Sequence, residues 1–188
     1  MTRRMVVMSS ILTKKDLNFD PDAREMAMCA AEHTYKKYKG LTSSKMRAVI
    51  NMREPSYRDR LYVYNIDRQM SPGAYLVAHG INSGSGIYAT KFSNAAGSLC
   101  TSLGAYLTGA TYIGKHGLSL HVRGLEPGIN NNASFRDIEI HPAHYVSDTY
   151  VLEHGMCGHS EGCFAIDPAT SDKLIDLIKD GVYLYVYY

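Results

Sequence analysis

His154-Gly-Met-Cys-Gly-His-Ser-Glu-Gly-Cys163 is the stretch that decides the fold, together with Ile138-Glu-Ile-His141 upstream. It places a cysteine directly after a glycine, in a segment rich in glycine and serine, and 22 residues after a histidine. A thiol reacts as a thiolate when a base or a positive charge lies nearby, and backbone N–H groups can hold the oxyanion that its attack on a carbonyl creates. Because the segment can supply the thiol, the base and the N–H groups, it predicts acyl transfer by a cysteine nucleophile.

Length and composition are typical of one globular domain. The chain has 188 residues, of which 45% are hydrophobic and 20% are charged, so we expect a single catalytic domain over residues 1–188. A net charge of +2 without a run of basic residues argues against a nucleic-acid partner. The 15 tyrosines, against 4 phenylalanines and no tryptophan, favour a β-rich chain with many half-buried aromatic rings.

The N-terminal segment, residues 1–15, only partly resembles a secretory signal. Its apolar run is short, is interrupted by Ser9 and Ser10, and is followed by Lys14 and Lys15 without a convincing cleavage site. No window approaches the roughly 20 apolar residues that a membrane-spanning helix needs. We therefore expect no membrane span, and the export route stays open.

Two Asp-Pro pairs predict helices, since aspartate caps a helix and proline suits its first turn. The first helix is expected to begin at Asp20-Pro21 and to stop at Gly40, and the second to begin at Asp167-Pro168 and to stop at Gly181. Residues 1–57 are expected to form a helical extension packed on the rest of the domain.

Period-two patterns predict strands between these helices. Residues 61–66 and 74–78 are expected to be strands joined by a hairpin-like connection around Met70-Ser-Pro-Gly73. The glycine-rich passage 79–101 and the segment 124–133 are expected to be loops. Further strands are predicted at residues 105–113, 118–122, 137–141 and 182–188. The prediction is a mainly β domain with two peripheral helices.

Cys163 and His141 are each ambiguous when considered alone. A cysteine is most often a small inert hydrophobe, and a histidine at a strand end can be a satisfied core side chain. However, Gly162 lets backbone approach a ligand closely, and a histidine beside a cysteine lowers the thiol pKa and shuttles its proton. The pair therefore favours a nucleophile with its general base.

A zinc site is an alternative for the same region, because many potential ligands fall within a short span. The paired short spacings of common structural zinc sites are absent, so we expect no metal and no cofactor. A disulfide between Cys157 and Cys163 is a further alternative, which would consume the nucleophile. The potential zinc ligands are His141, His144, His154, Cys157, His159 and Cys163.

Two glycine-containing segments are candidate ligand sites. The run Asn82–Gly86 lacks the Gly-Lys-Ser/Thr of a phosphate-binding loop, and it lacks the dinucleotide-binding pattern. It is therefore predicted to be a loop that lies near a site at best. The segment Gly114-Lys-His-Gly117 is predicted to be a turn, from which Lys115 and His116 could face a substrate carboxylate.

The combination of motifs resembles the catalytic domain of murein L,D-transpeptidases over about residues 60 to 188. The central match is Ile140-His-Pro-Ala-His-Tyr-Val-Ser147 followed by Gly158-His-Ser-Glu-Gly-Cys163, a histidine, a spacer and Ser-x-Gly-Cys. Upstream segments also match, namely Phe92-Ser-Asn94, Gly97-Ser98, Ser102–Tyr106, Thr108-Gly109, Gly114–Gly117 and Gly124–Gly128.

The resemblance implies an L,D-transpeptidase-type β-sandwich or open barrel, with an N-terminal helix and a helix after the catalytic loop. It implies that Cys163 attacks the third residue of a peptidoglycan stem tetrapeptide, that His141 is the base and that a backbone carbonyl orients it. N–H groups near Gly162 and Cys163 would form the oxyanion hole, and Ser160 would shape the loop. The substrate-binding residues would be His159, Lys115, His116, Asn94 and Ser98. The expected partners are stem peptides or muropeptides, the expected state is a monomer, and the expected location is the periplasm or cell wall.

Three departures from the family pattern bear on substrate choice. Pro142 stands where glycine is usual, His159 stands where arginine is common, and Phe164-Ala165 follows the cysteine in place of Ile-Arg or Pro-Ala. Without the arginine, His159, Lys115 or Arg123 would have to hold a substrate carboxylate.

Several functions are compatible with these residues. The acyl-enzyme can pass to an amine, which makes a 3-3 cross-link, or to water, which trims the tetrapeptide to a tripeptide. A secreted cell-wall toxin would use the same chemistry. An inactive wall-binding module and a zinc-dependent peptidase are the alternatives from other classes.

Overall fold

One eight-stranded sheet, strongly curved towards a barrel, forms the centre of the molecule. The computed structural model describes residues 21–67 and 70–188, so the expectations for residues 1–20 and the Asp20 cap lie outside the described residues. The strand order is β3-β2-β1-β8-β4-β5-β6-β7. The strands are β1 Met46–Asn51, β2 Leu61–Asn65, β3 Met70–Tyr75, β4 Gly104–Gly114, β5 Gly117–Gly124, β6 Glu139–Pro142, β7 Phe164–Ile166 and β8 Tyr183–Tyr187.

In the described part of the chain, three α-helices surround the sheet. They are α1 Pro21–Tyr35, α2 Asp148–His154 and α3 Pro168–Ile178, with short 3-10 turns at Lys39–Leu41, Ile81–Ser83 and Ser134–Arg136. The Asp167 side chain accepts a hydrogen bond from Ala169 N–H and proline opens α3, as the cap pattern predicts. The fold is mainly β with an N-terminal helix and a helix after the cysteine loop, which confirms the predicted class.

Both faces of the central strands are covered, because apolar side chains alternate between two cores. In β8, Leu184 and Val186 belong to the main core, while Tyr183 belongs to a second core on the opposite face. Helix α3 buries Leu174 and its neighbours Ile175 and Ile178 in the main core, and α1 covers the second core with small residues such as Ala27 and Ala31.

Three expectations about the elements need correction. Residues 1–57 are not wholly a helical extension, because Met46–Asn51 is a strand inside the sheet, between β2 and β8. Met70–Gly73 is part of strand β3 rather than a hairpin connection, and β2 and β3 are joined after Asn65. Helix α2 and strand β7 were not predicted, so residues 21–67 and 70–188 contain three helices where the sequence predicted two.

In the part of the chain that the structure describes, no helix is both long and apolar enough to cross a membrane. The chemistry-bearing stretch lies instead at one edge of the sheet, where β7 pairs in parallel with β6. Helix α2 connects these two strands. The Ser147 side chain caps its start, and Gly155, with φ +75°, ends it.

The main core predicts a large cost for truncating a fully buried leucine. Leu184→Ala should lower the free energy of unfolding by about 2–5 kcal/mol, since it removes apolar burial and leaves a cavity. Leu152→Ala, on a side chain 82% exposed in α2, is the matched control and should change it by less than about 0.5 kcal/mol. Denaturant unfolding measures both, and equal losses would contradict the assignment of the core.

Candidate active site

The parallel pairing of β6 and β7 places the predicted base and the predicted nucleophile on adjacent chain segments. His141 lies opposite Ala165 and Ile140 lies opposite Phe164, so Cys163, just before β7, continues the register next to Glu139. Ile140 and Phe164 both point into the main core. Because side chains alternate along a strand, His141 and Glu139 project from the other face, beside the loop that ends at Cys163.

The Cys163 thiol is held between two backbone groups of the segment that leads into β6. Its Sγ donates to the Asp137 carbonyl oxygen at 3.3 Å, and the Glu139 backbone also hydrogen-bonds to the sulfur. Burial raises the pKa of the Cys163 thiol, and the carboxylates of Glu139 and Glu161 raise it further. The guanidinium of Arg136 acts in the opposite direction. The resting cysteine is therefore a protonated thiol.

His141 is oriented as a base by a backbone carbonyl. Its Nδ1 lies 3.1 Å from the Pro142 carbonyl oxygen, and a ring nitrogen that faces a carbonyl must carry the hydrogen. This leaves Nε2 with its lone pair free to take a proton. Burial lowers the pKa of His141, so the ring is neutral before reaction.

Ser160 and Gly162 shape the loop that carries the cysteine. Gly162 N–H donates to Ser160 Oγ at 3.1 Å, and that hydroxyl donates to the Cys163 carbonyl at 2.7 Å. The backbone of Ser160 also bonds to His79 O and Ile81 N, which ties the loop to the neighbouring segment. The Gly162 N–H is therefore engaged, whereas the Cys163 N–H makes no backbone hydrogen bond outside the sheet ladder among the described residues.

Gly162 is required by close backbone approach. Its φ is +119°, outside the range that side-chain-bearing residues adopt. A Cβ there would lie 2.8 Å from the Cys100 carbonyl oxygen and 3.0 Å from Ile138 Cδ1. The glycine thus allows the cysteine loop to lie flat against the segment that ends at Cys100.

The β4–β5 turn brings two of the predicted substrate-binding residues to the base. The ring of His116 stacks on that of His141, with 4.3 Å between centroids and 18° between planes. The Lys115 ammonium lies close enough to disfavour protonation of His141. Both turn residues are exposed, so this side of the base carries positive charge that faces solvent.

The other three predicted substrate-binding residues make contacts within the protein. His159 packs edge-on against His79, with ring centroids 4.9 Å apart. Asn94 bonds with Asn131 and Asn132 and so joins two loops. The Ser98 hydroxyl accepts from Arg136 at 3.2 Å, which places it behind the loop of the nucleophile.

Two groups at the site were not predicted from the sequence. The Glu139 carboxylate is held by the Tyr112 hydroxyl and by His121 Nδ1, the latter at 3.0 Å, and the rings of Tyr112 and His121 stack on each other. The period of two along Ile138–His141 could have indicated Glu139, since it shares the face of His141. Arg136 lies in a 3-10 turn, and no local pattern points to it.

The residues of the alternative zinc hypothesis do not converge. Within residues 21–67 and 70–188, no group of three or more His, Cys, Asp or Glu side chains is arranged to hold a metal ion. All four cysteines are free. Cys157 is buried and donates its S–H to the Ser56 carbonyl at 2.9 Å.

Comparison with known families gives one match that spans nearly the whole chain. The model of the family described as the L,D-transpeptidase catalytic domain matches residues 17–187. Among curated protein sequences, no significant match is found.

Solved structures give distant matches. An L,D-transpeptidase from Mycobacterium smegmatis is 12% identical, with 77% of this chain and 59% of that chain covered and a TM-score of 0.46. An L,D-transpeptidase from Xylanimonas cellulosilytica is 14% identical, with 78% and 62% covered and a TM-score of 0.45. The helical cell shape determining protein Pgp2 from Campylobacter jejuni is 14% identical, with 82% and 55% covered and a TM-score of 0.47. The chain thus spans less than two thirds of the length of each.

The protonation state of the resting site can be measured by alkylation. With the pKa of Cys163 raised and that of His141 lowered, iodoacetamide should label Cys163 slowly at pH 7, with a rate that rises to a midpoint above about 8.5. Mass spectrometry of a Cys29→Ser protein locates the label, since Cys29 is exposed whereas Cys100 and Cys157 are buried. A labelling rate already at its plateau by pH 6 would show a resting thiolate instead.

Gly162→Ala should displace the cysteine loop. The new Cβ meets the Cys100 carbonyl in a backbone conformation that alanine avoids, so the alkylation profile of Cys163 should change and stability should fall by about 1–3 kcal/mol. Gly155→Ala is the matched control, because Gly155 also has positive φ but nothing within 4 Å of the added Cβ. It should lose stability and keep the profile. Unchanged labelling in Gly162→Ala would mean that this close approach does not hold the loop.

Proposed function

Because the chain belongs to the L,D-transpeptidase catalytic domain family, we propose that it is a cysteine acyltransferase that acts on the stem tetrapeptides of peptidoglycan. The observation that carries the proposal is the arrangement on β6 and β7: a thiol next to Glu139, and two residues further along β6 a neutral histidine whose Nδ1 is fixed by the Pro142 carbonyl. Such a pair has the two groups that nucleophilic acyl transfer requires.

The first half-reaction uses the two groups in turn. His141 Nε2 takes the proton of the Cys163 thiol as the sulfur attacks the carbonyl carbon of the third stem residue. The Cys163 N–H stabilises the oxyanion of the tetrahedral intermediate. As the intermediate collapses, the C–N bond to the terminal D-alanine breaks, the imidazolium returns its proton to the leaving amine, and a thioester remains.

The second half-reaction gives the enzyme its two alternative names. An amine of a neighbouring stem that attacks the thioester gives a 3-3 cross-link and makes the enzyme an L,D-transpeptidase, the outcome we propose. Water in its place gives a tripeptide and makes it an L,D-carboxypeptidase. In both cases His141 accepts a proton from the acceptor and returns it to the sulfur.

The exposed β4–β5 turn is our candidate for holding the donor stem. Lys115 places a positive charge that faces solvent beside the base and His116 stacks on that base, whereas His159 and Ser98 are engaged in contacts within the protein. A carboxylate of the stem is attracted to such a turn. This would replace the arginine that is common in the family where His159 stands in this chain.

The proposed substrate sets the proposed location, since peptidoglycan is outside the cytoplasm. We therefore propose that the protein works in the periplasm or cell wall, whether it is a housekeeping enzyme or a delivered toxin. The oriented histidine and the protonated thiol favour an enzyme over an inactive wall-binding module, because a binding protein needs neither group.

Product analysis tests the reaction. Purified tetrapeptide muropeptides incubated with the protein should yield free D-alanine and a dimer whose mass equals that of two disaccharide-tetrapeptides less one D-alanine, because the 3-3 bond replaces the bond to the departing D-alanine. Tripeptide monomers with D-alanine would select the carboxypeptidase. Muropeptides that remain unchanged even at high enzyme concentration would contradict both reactions.

Removing either group should abolish turnover. Cys163→Ala should leave no acyl-enzyme, and His141→Gln should reduce kcat/KM by about 100-fold or more, because general base catalysis is lost. Cys29→Ala and His154→Gln change the same residue types at exposed positions and should retain full activity. Full activity in Cys163→Ala would refute the nucleophile.

A further inference from the structure

A single arginine, Arg136, stands directly behind the loop of the nucleophile. It ends the 3-10 turn between β5 and β6, one residue before the Asp137 carbonyl that accepts the thiol hydrogen bond. A Cβ on Gly162 would lie 3.2 Å from Arg136 NH2. The guanidinium and the backbone next to Cys163 are therefore in close contact.

The guanidinium joins a second segment to this contact. NH1 donates to the Ser93 carbonyl at 2.8 Å and to Ser102 Oγ at 3.3 Å, and NH2 donates to Ser98 Oγ at 3.2 Å and to the Cys100 carbonyl at 2.5 Å. These four acceptors span the whole segment 93–102. The Cys100 carbonyl is also the group that a side chain at position 162 would strike.

All four acceptors are neutral, and no carboxylate pairs with Arg136 among residues 21–67 and 70–188. Its positive charge is therefore not cancelled by an ion pair in this part of the chain. The half-buried setting weakens screening by solvent, so the charge acts on groups nearby.

Several titratable groups face the Cys163 sulfur from the surrounding elements. Glu139 on β6 and Glu161 in the loop oppose its ionisation, and Arg136 is the cation that favours it. Tyr112 on β4 and Tyr145, which precedes α2, also interact electrostatically with the sulfur. Arg136 and the hydrogen bond from the Glu139 backbone therefore partly offset the two carboxylates at the atom that must become negative.

We propose that Arg136 is the positioning residue of the nucleophile, which holds segment 93–102 against Gly162 and places a positive charge where the Cys163 thiolate forms. Its catalytic consequence rests on the proposed role of Cys163. Its effect on the acidity of the thiol does not, because that acidity is a property of the protein without substrate.

Replacing the charge should make the thiol less acidic. In a Cys29→Ser protein, Arg136→Gln keeps a side-chain N–H donor and removes the charge, which leaves only the hydrogen bond from the Glu139 backbone to oppose the two carboxylates. The iodoacetamide profile of Cys163 should move upward by about one pH unit, so that the rate on the rising part of the profile falls about tenfold. Arg123→Gln removes an exposed arginine from β5 with the same change in net charge and should leave the profile unchanged.

A folded Arg136→Gln protein whose profile superimposes on that of the parent would overturn the proposal. An equal displacement in Arg123→Gln would also overturn it, because the effect would then follow net charge rather than position. Circular dichroism and thermal unfolding establish that each variant is folded.

Arg136→Lys keeps the test decisive if the neutral variant does not fold. Lysine retains the charge but cannot form the planar fork. The expected result is a profile close to that of the parent, with faster amide hydrogen exchange in segment 93–102. A folded lysine variant whose profile lies a full pH unit higher would contradict the role of the charge.

The alkylation result is independent of turnover. A displaced profile in a protein whose parent leaves muropeptides intact would support the role of Arg136 and refute the proposed reaction. Normal turnover by the parent, with an alkylation profile that Arg136→Gln leaves unchanged, would support the proposed reaction and refute the role of Arg136.

Discussion

The parallel pairing of β6 with β7 is the constraint on which the rest of the site depends. A parallel pair fixes which residues are neighbours, and a shift of one residue would turn every side chain to the other face. Ile140 and Phe164 lie opposite each other in the main core, so the register is fixed by apolar burial. His141 and the Cys163 loop take their places as a consequence. The chemistry is thus held by two strands whose other face is fully packed.

The loop that precedes β7 needs a second support, because it is irregular. That support comes from His79, whose carbonyl accepts from the Ser160 N–H and whose Nδ1 lies 3.0 Å from the buried Arg60 guanidinium. Burial and, after it, the Arg60 guanidinium lower the pKa of His79 to about 3, so the ring stays neutral and can accept this hydrogen bond throughout the physiological range. The buried Arg60 thereby fixes the tautomer of His79. The backbone carbonyl of His79 holds the loop through its hydrogen bond with Ser160.

The sequence predicted the elements whose local signals agree with their environment. Strand β8 alternates between two cores, and α3 begins at its Asp-Pro cap. Strand β1 was missed because it is buried along nearly its whole length and so lacks the period of two. Its arginine, Arg47, stacks on the Tyr35 ring at 3.8 Å, a contact that depends on the packing of α1. Strand β3 was missed in part because Pro72 and Gly73 are typical turn residues, yet an edge strand tolerates proline.

The residues of the candidate site also fall into two groups, those with a local sequence signal and those without one. Cys163 and His141 could be named as candidates from the sequence because glycine, serine and histidine around a cysteine form a local pattern. Arg136 could not, since its importance comes from four acceptors in a segment some forty residues earlier in the chain. The charges at the sulfur therefore come from separate elements: Glu139 from a strand, Glu161 from the loop and Arg136 from a turn. Burial and the two carboxylates keep the resting thiol protonated. In the reaction that we propose, ionisation therefore accompanies attack, and His141 takes the proton as the sulfur approaches the carbonyl. Such a site would protect its cysteine from solution electrophiles and ionise it only where a base and a cation act together.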